Sequence, residues 1–238
     1  YTGATTNVDG GTVNFNYVST TNRSSTSALN LSSGTVGVAG TGFVGGGGIA
    51  LTGASVWKGG SVVGTGLVTV NSGAVLEKSG LGTVTFLSLM DNLGAVKITG
   101  GQIDTTVAGH HVQSSGTWDF ADNTAIVGGG DFLNNGTVTK ISGAGTASIG
   151  KRIVNSSGHW KVGAGTLNLE GGGNDLNVMT VDAGAGTLAF NKGTFDMKSL
   201  VAATGSTVAF TGGTANFSGA YTGATTNVDG GTVNFNYV

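Results

Sequence analysis

Two pairs of aspartates, Asp119 with Asp122 and Asp182 with Asp196, are the residues of this chain whose type and spacing come closest to catalytic chemistry. Two carboxylates about 5–9 Å apart suffice to cleave a glycosidic bond, one as acid and the other as nucleophile or base. Asp119 and Asp122 flank a strand end, and Asp182 and Asp196 would meet if their strands stacked in adjacent turns of a repeating fold. A chain with 12 acids spread over its corners brings some pair together by geometry alone, and no cluster of Arg or Lys accompanies either pair. The residues therefore weigh toward no catalytic site.

Metal chemistry has equally little to use. His110 and His111 are neighbours, and neighbours on a strand point to opposite faces, so the two serve one ion only across a bend; His159 stands far away in sequence. Gly171-Gly-Gly-Asn-Asp-Leu-Asn177 is close to the calcium nonapeptide of parallel β-rolls, but one residue is missing before Asn174-Asp175 and no tandem copy supplies the other half-site. A glycine corner with Asp175 in solvent accounts for it. Trp57, Trp118 and Trp160 either fill a core or stack on sugars. Trp118 and Trp160 occupy the same apolar slot 42 residues apart (160 − 118), which favours the core. Asn22, Asn30, Asn135, Asn155 and Asn216 each begin an Asn-x-Ser/Thr triplet, expected by composition alone in a chain so rich in Asn and Thr.

The elements that would position these groups follow from composition. There are 47 Gly, no Pro and no Cys, and charged residues make up 9%, against a usual share of about 25%. Val, Thr and Ile recur throughout, which sets the chain apart from disordered sequences. A net charge of −2, with Lys151-Arg152 as the densest basic pair, offers nothing to neutralise a phosphate backbone, so no nucleic-acid partner is expected. No apolar run approaches the ~18 residues of a membrane helix, and no membrane span is expected. The lack of cysteine excludes disulfides and thiolate metal sites, and no cofactor motif is present.

Strand signals dominate. Glycine, then Thr or another small residue, then apolar-x-apolar recurs as Gly11-Thr-Val-Asn-Phe15, Gly82-Thr-Val-Thr-Phe86, Gly116-Thr-Trp-Asp-Phe120, Gly136-Thr-Val-Thr-Lys140, Gly165-Thr-Leu-Asn-Leu169 and Gly213-Thr-Ala-Asn-Phe217. Gly94, Gly116, Gly136 and Gly158 step by 22, 20 and 22 residues; Gly145, Gly165, Gly186 and Gly205 step by 20, 21 and 19. Two interleaved ladders of one period predict a β-solenoid with two or three short strands per coil, stacked in parallel at ~4.8 Å. Inward positions are expected to hold Val, Leu, Ile and Phe, with Thr, Asn, Ser and Lys outside. Thr20 to Ser27 reads as a polar excursion, and Gly40 to Gly48 as a close-packed bend.

One segment sets the larger organisation. Tyr1 to Val18 returns letter for letter as Tyr221 to Val238, an offset of 221 − 1 = 220 residues. The expected layout is one solenoid unit over residues 1–220, of about ten or eleven coils and ~50 Å of axis, with residues 221–238 opening the next identical unit.

The motifs Leu133-Asn-Asn-Gly-Thr-Val138, Val154-Asn-Ser-Ser-Gly158 and Val181-Asp-Ala-Gly-Ala-Gly-Thr-Leu188 resemble those of bacterial autotransporter passengers and filamentous-haemagglutinin-like exoproteins. The resemblance spans almost the whole chain. It implies a right-handed parallel β-helix, export to the cell surface or beyond, an adhesive or fibre-forming role, and no catalytic residues. Together with the repeat it favours a structural protein that is not an enzyme, whose partner is itself or the next unit end to end, Tyr1–Val18 being equivalent to Tyr221–Val238. An adhesin or carbohydrate-binding passenger that touches surface glycans is the alternative, and a tailspike-like polysaccharide-degrading enzyme comes third.

Overall fold

Alternation along each short strand sets the architecture. In Thr117–Phe120 the side chains of Trp118 and Phe120 are buried while Thr117 is exposed and Asp119 half-buried, the period-2 pattern of a strand with one face on a core. The computed structural model describes residues 1–16, 23–40, 47–105, 112–155, 157–175, 178–182, 184–223 and 225–236. Its 28 strands form one sheet in which every ladder between named strands is parallel.

The chain is an all-β solenoid of about ten coils. From Ala95 on each coil has three strands, illustrated by Asp131–Asn134, Thr137–Lys140 and Thr146–Ile149, whereas Gly60–Val70 and Thr83–Asn92 each cover the second and third faces as one strand. Each of these pairs with the strand three places on, so three ladders run the length of the axis. The first face runs from residues 5–8 through Thr117–Phe120 to Tyr221–Thr222. The second runs from residues 12–15 through Ala125–Gly128 to Thr225–Val228. The third runs from residues 24–26 through Val112–Ser114 to Thr232–Phe235. Thr2–Phe15 and Ser24–Val38 bend through their corners with so little interruption that each is a single strand touching all three faces.

The two ladders expected from glycine spacing are the first and second faces. The third was concealed because its strands end on a polar residue, as in Met90-Asp-Asn92, Phe132-Leu-Asn134 and Ile153-Val-Asn155, and mostly lack a Gly-Thr start.

Inward columns make the core. Val96, Trp118, Val138, Trp160 and Val181 follow one another on the first face. On the second, Phe190 stacks on Phe210 with ring centroids 5.2 Å apart. Each such side chain taken from water stabilises by about 1.5–3 kcal/mol, and stacked coils pool these contributions through nearest-neighbour contacts.

One expectation is corrected. Lys78, Lys140 and Lys151 are fully buried, as are Asn92, Ser114 and Asn134, whereas Lys, Asn and Ser were expected outside. Corners are the reason: there the backbone turns out of the ladder and its polar groups need side-chain partners inside the coil. Asn92 Oδ1 accepts from Gly94 N–H at 3.1 Å, and Asn134 Oδ1 from Gly136 N–H at 3.0 Å. This Asx turn explains the Asn-x-Gly motif.

The glycines of that corner form a column of their own. A Cβ on Gly116 would lie 2.2 Å from Gly94 O, and one on Gly136 would lie 2.0 Å from Gly116 O. Close backbone approach, repeated coil after coil, excludes any side chain there.

Candidate functional site

Two kinds of polar constellation are built by this frame: ammonium groups sealed inside corners and charged columns on the outer faces. Trp57, Lys78, Ile98, Phe120, Lys140 and Val162 occupy one inward column of the first face. The lysines take an apolar slot, and their stems pack as apolar residues would. Lys78 Nζ donates to the carbonyls of Ser79 at 2.9 Å, Gly80 at 3.0 Å and Gly100 at 2.9 Å. Lys140 Nζ donates to the carbonyls of Ser142 at 2.6 Å and Gly143 at 3.2 Å and pairs with the Asp122 carboxylate. Between the second and third faces, Lys151 Nζ donates to Thr105 Oγ1 at 2.9 Å and to the Gly129 carbonyl.

Burial lowers the pKa of Lys78, and lowers that of Lys151 to about 8 against the opposing pull of Asp131. The hydrogen bond from Lys140 holds the Asp122 carboxyl below the ordinary carboxylate range, with a further contribution from Gly145 N–H. These groups brace the corners. Each ammonium neutralises carbonyls that leave the ladder, replacing the water they would otherwise need.

On the outer surface of the first face, Glu77, Lys97 and Asp119 follow one another in adjacent coils, and Lys161 stands opposite Asp182. Alternating sign at one-coil spacing favours this register over a slipped one. Burial raises the Asp119 pKa and Lys97 opposes the shift. On the third face Arg152 grips Asp131 through Nε–Oδ1 at 2.5 Å and Nη2–Oδ2 at 2.8 Å. An amide column continues there: Asn216 Nδ2 donates to Asp196 at 2.8 Å and Asn234 Nδ2 to Asn216 at 2.7 Å.

The residues singled out in the sequence are not drawn together. Asp122 is occupied by Lys140, which leaves Asp119 alone of its pair. Asp182 lies on the first face and Asp196 on the third, so the stacking considered for them is overturned, since only residues of one face stack from coil to coil. His159 is an exposed outward residue between Thr137 and Thr180. His110, His111, Asn22, residues 20–22 of the polar excursion and residues 41–46 of the glycine bend lie outside the described residues. Of the calcium-like motif, Gly173–Asp175 is a strand of the third face rather than a turn. Among the described residues no three His, Asp or Glu side chains gather as a metal site.

All three tryptophans are buried, Trp57 donating through Nε1 to the Leu29 carbonyl at 3.1 Å. Their indoles offer no face to a sugar. Lys151 and Arg152 divide between core and surface and make no basic patch. Among the described residues no helix is long and apolar enough to cross a membrane.

Two shallow grooves follow the corners. One, of about 430 Å³, is lined by Asn7, Asp9, Asn30, Ser32, Val56 and Lys58. The other, of about 360 Å³, runs along the Gly94, Gly116 and Gly136 column. Two side-chain hydrogen bonds cross the first, Asn30 Nδ2 donating to Asn7 Oδ1 at 2.9 Å and Ser32 Oγ to Asp9 Oδ1 at 2.9 Å. No motif marked it: Asn7 in Thr5-Thr-Asn-Val8 and Asn30 in Ala28-Leu-Asn-Leu31 lie outside the glycine-started strands, and Asn30 stood out only as the start of an Asn-x-Ser/Thr triplet.

Fold and surface together define a parallel β-solenoid with braced corners and polar outer ladders. No family model and no solved structure matches the chain. A curated relative, the adhesin BmaC autotransporter of Brucella suis biovar 1 (strain 1330), is 36% identical over 126 residues, covering 45% of this chain. The matched stretch spans 4% of that protein's length.

Proposed function

We propose that this chain is a segment of a cell-surface passenger of the adhesin autotransporter type, in which the solenoid is the stiff shaft. Its task is mechanical: three continuous ladders transmit tension along the axis through backbone hydrogen bonds, and the corner lysines and asparagines keep each turn closed. The observation that carries this reading is the unbroken pairing of all three faces from residues 2–15 to residues 225–235. The partial likeness to an adhesin autotransporter supports the cell surface or exterior as its place. Tandem 220-residue units, each laid on the last, lengthen the shaft without a cap, because an open coil edge is a template for pairing.

Electron microscopy of the purified chain tests the shaft. The reading expects straight rods about 50 Å long, from about ten coils at ~4.8 Å, and accessibility of the chain to protease on intact cells. Rounded particles, or protection from protease until the cells are broken, would sink it.

A second reading, contact with surface glycans, is favoured by the groove in which the polar side chains of Asn7, Asp9, Asn30 and Lys58 gather. Loss of binding on a glycan array in Asn30→Ala, with the rod unchanged, is its expected signature.

A further inference from the structure

The duplicated segment is present twice, in two different surroundings. In the first copy its strands pair with Ser24–Val38, setting Thr5 opposite Ala28, Val8 opposite Leu31, Thr12 opposite Thr35 and Phe15 opposite Val38. In the second copy the same residues pair with the coil before them: Thr225 opposite Thr207, Val228 opposite Phe210, Thr232 opposite Thr214 and Phe235 opposite Phe217. One sequence thus displays a partner for each of its two edges.

The direction of the hydrogen bonds shows that both copies face the same way along the axis. The Phe15 carbonyl accepts from Ala39 N–H at 3.0 Å, and the Phe217 carbonyl accepts from Asn236 N–H at 2.8 Å. In each case the carbonyl of an inward residue points to the following coil. The edge of Thr225–Val228 and Thr232–Phe235 that has no strand among the described residues is therefore the edge that Ser24–Val38 covers in the first copy. Burial agrees: Val8 is 2% exposed and Val228 57%, and Phe15 is 6% exposed and Phe235 49%.

The copies also differ in the face they occupy. Residues 5–8 stand on the first face and residues 12–15 on the second. Their equivalents Thr225–Val228 and Thr232–Phe235 stand on the second and third. Ten pairing steps lead along the first face from Val8 to Tyr221–Thr222. Thr225–Val228 lies one face beyond, so the 220-residue offset corresponds to ten and one third coils.

We infer that the open edge of Thr225–Phe235 is a docking surface for the Ser24–Val38 strand of a further unit of this sequence, and that each added unit is turned by one third of a revolution about the axis. The inference rests on the reading of the chain as part of a tandem shaft and adds its register and its screw. The register sets Thr225 against the next unit's Ala28, Val228 against its Leu31 and Phe235 against its Val38. Each unit advances about 50 Å, and a given surface group returns to the same side after about 150 Å, three units on. Leu81, 95% exposed, is then presented in turn on three sides of the shaft. Copies of one surface group therefore do not line up on one side from unit to unit.

The test is the full chain followed by a second copy of residues 19–238, with Leu81→Cys in both units. The chain has no native cysteine, so a bulky maleimide label marks those two points alone. Electron microscopy is expected to show one straight rod with labels about 50 Å apart along the axis, projecting from sides a third of a turn apart. A straight rod with both labels on one line overturns the screw while leaving the shaft intact. Two rods joined by a bend overturn the shaft itself, and the docking with it. A second variant reads the register without imaging: Asn227→Cys with the second unit's Asn30→Cys, the pairing that Asn7 and Asn30 make in the first copy. Rapid disulfide formation is expected, and none in the mismatched pair of Asn227→Cys with the second unit's Ser33→Cys; equal trapping of both pairs, or of neither, overturns the register.

Discussion

Trp118 and Trp160 stand in one inward column of the first face with Val138 between them, so that large and small side chains alternate from coil to coil. Neither indole could be cut back without leaving a void that a small neighbour cannot fill. Trp160→Ala is expected to cost about 3–5 kcal/mol, read as a fall in the urea midpoint, and Val138→Ala a smaller loss.

Two of the indoles differ in their polar atom. Trp57 Nε1 donates to the Leu29 carbonyl, whereas Trp118 Nε1 is buried without a hydrogen-bond partner. Replacement by Phe removes similar volume at both sites but a hydrogen bond only at the first. Trp57→Phe should therefore be the more damaging by about 1 kcal/mol, and equal losses in urea titration would contradict the assignment.

The glycine column predicts a sharp positional contrast. In Gly116→Ala the new methyl would meet the Gly94 carbonyl at 2.2 Å, while a Cβ on Gly184 has nothing within 4 Å. Gly116→Ala should cost at least about 1–3 kcal/mol, as overpacking does, and Gly184→Ala should lie within about 0.5 kcal/mol of the parent. Thermal melts of the two variants side by side decide it.

Much of this was legible in the residues. Gly94, Gly116 and Gly136 marked the first face because a corner in which a Cβ would meet the carbonyl of the coil before must be glycine in those coils, and the period could be read from them directly. The third face hid because Asn92 and Asn134 point inward, which binary patterning scores as an outward choice. Lys140 was visible in the apolar slot of Gly136-Thr-Val-Thr-Lys140, but a lysine in such a slot is indistinguishable from a strand that ends there until Ser142 and Gly143 are seen turning their carbonyls toward it. The acid pairs failed for a related reason. Sequence distance does not say on which of three faces a residue falls, and Asp182 and Asp196 fall on different ones.

The buried ammonium of Lys151 gives stability a pH dependence of known sign. Burial lowers its pKa from 10.5 to about 8, so between those values the unfolded chain binds more protons than the folded one and stability rises with pH. Below about pH 8 both states are protonated and this group contributes no slope. Denaturation midpoints measured across that window should rise for the parent and flatten in Lys151→Met, leaving the smaller rise due to Lys78.

Asp122 acts in the opposite direction. Its carboxyl is held low by Lys140, so its contribution is present above the ordinary carboxylate pKa of about 3.9 and is lost as pH falls through the folded value. Acid titration of Asp122→Asn should lack that step while keeping the alkaline behaviour of Lys151. A step of undiminished size in the variant would assign it to another acid.

The duplicated segment allows one residue to be tested against itself. Val8 and Val228 have identical sequence neighbours on both sides, yet Val8 is 2% exposed beneath Leu31 and Val228 is 57% exposed. Any difference between Val8→Ala and Val228→Ala therefore belongs to the neighbouring coils, Leu31 in the following one for Val8 and Phe210 in the preceding one for Val228, and not to local propensity, which is the same in both. Two buried methyl groups are lost at the first position, for about 1–2 kcal/mol, and little is lost at the second. Where a second unit covers Thr225–Val228, the substitution at 228 should become as costly as that at 8, because the added Leu31 supplies the missing contact. Urea midpoints of both variants, in the 238-residue chain and in the two-unit chain, measure this directly: a cost at 228 that stays small in the longer chain would mean that the added coil does not seat on this edge.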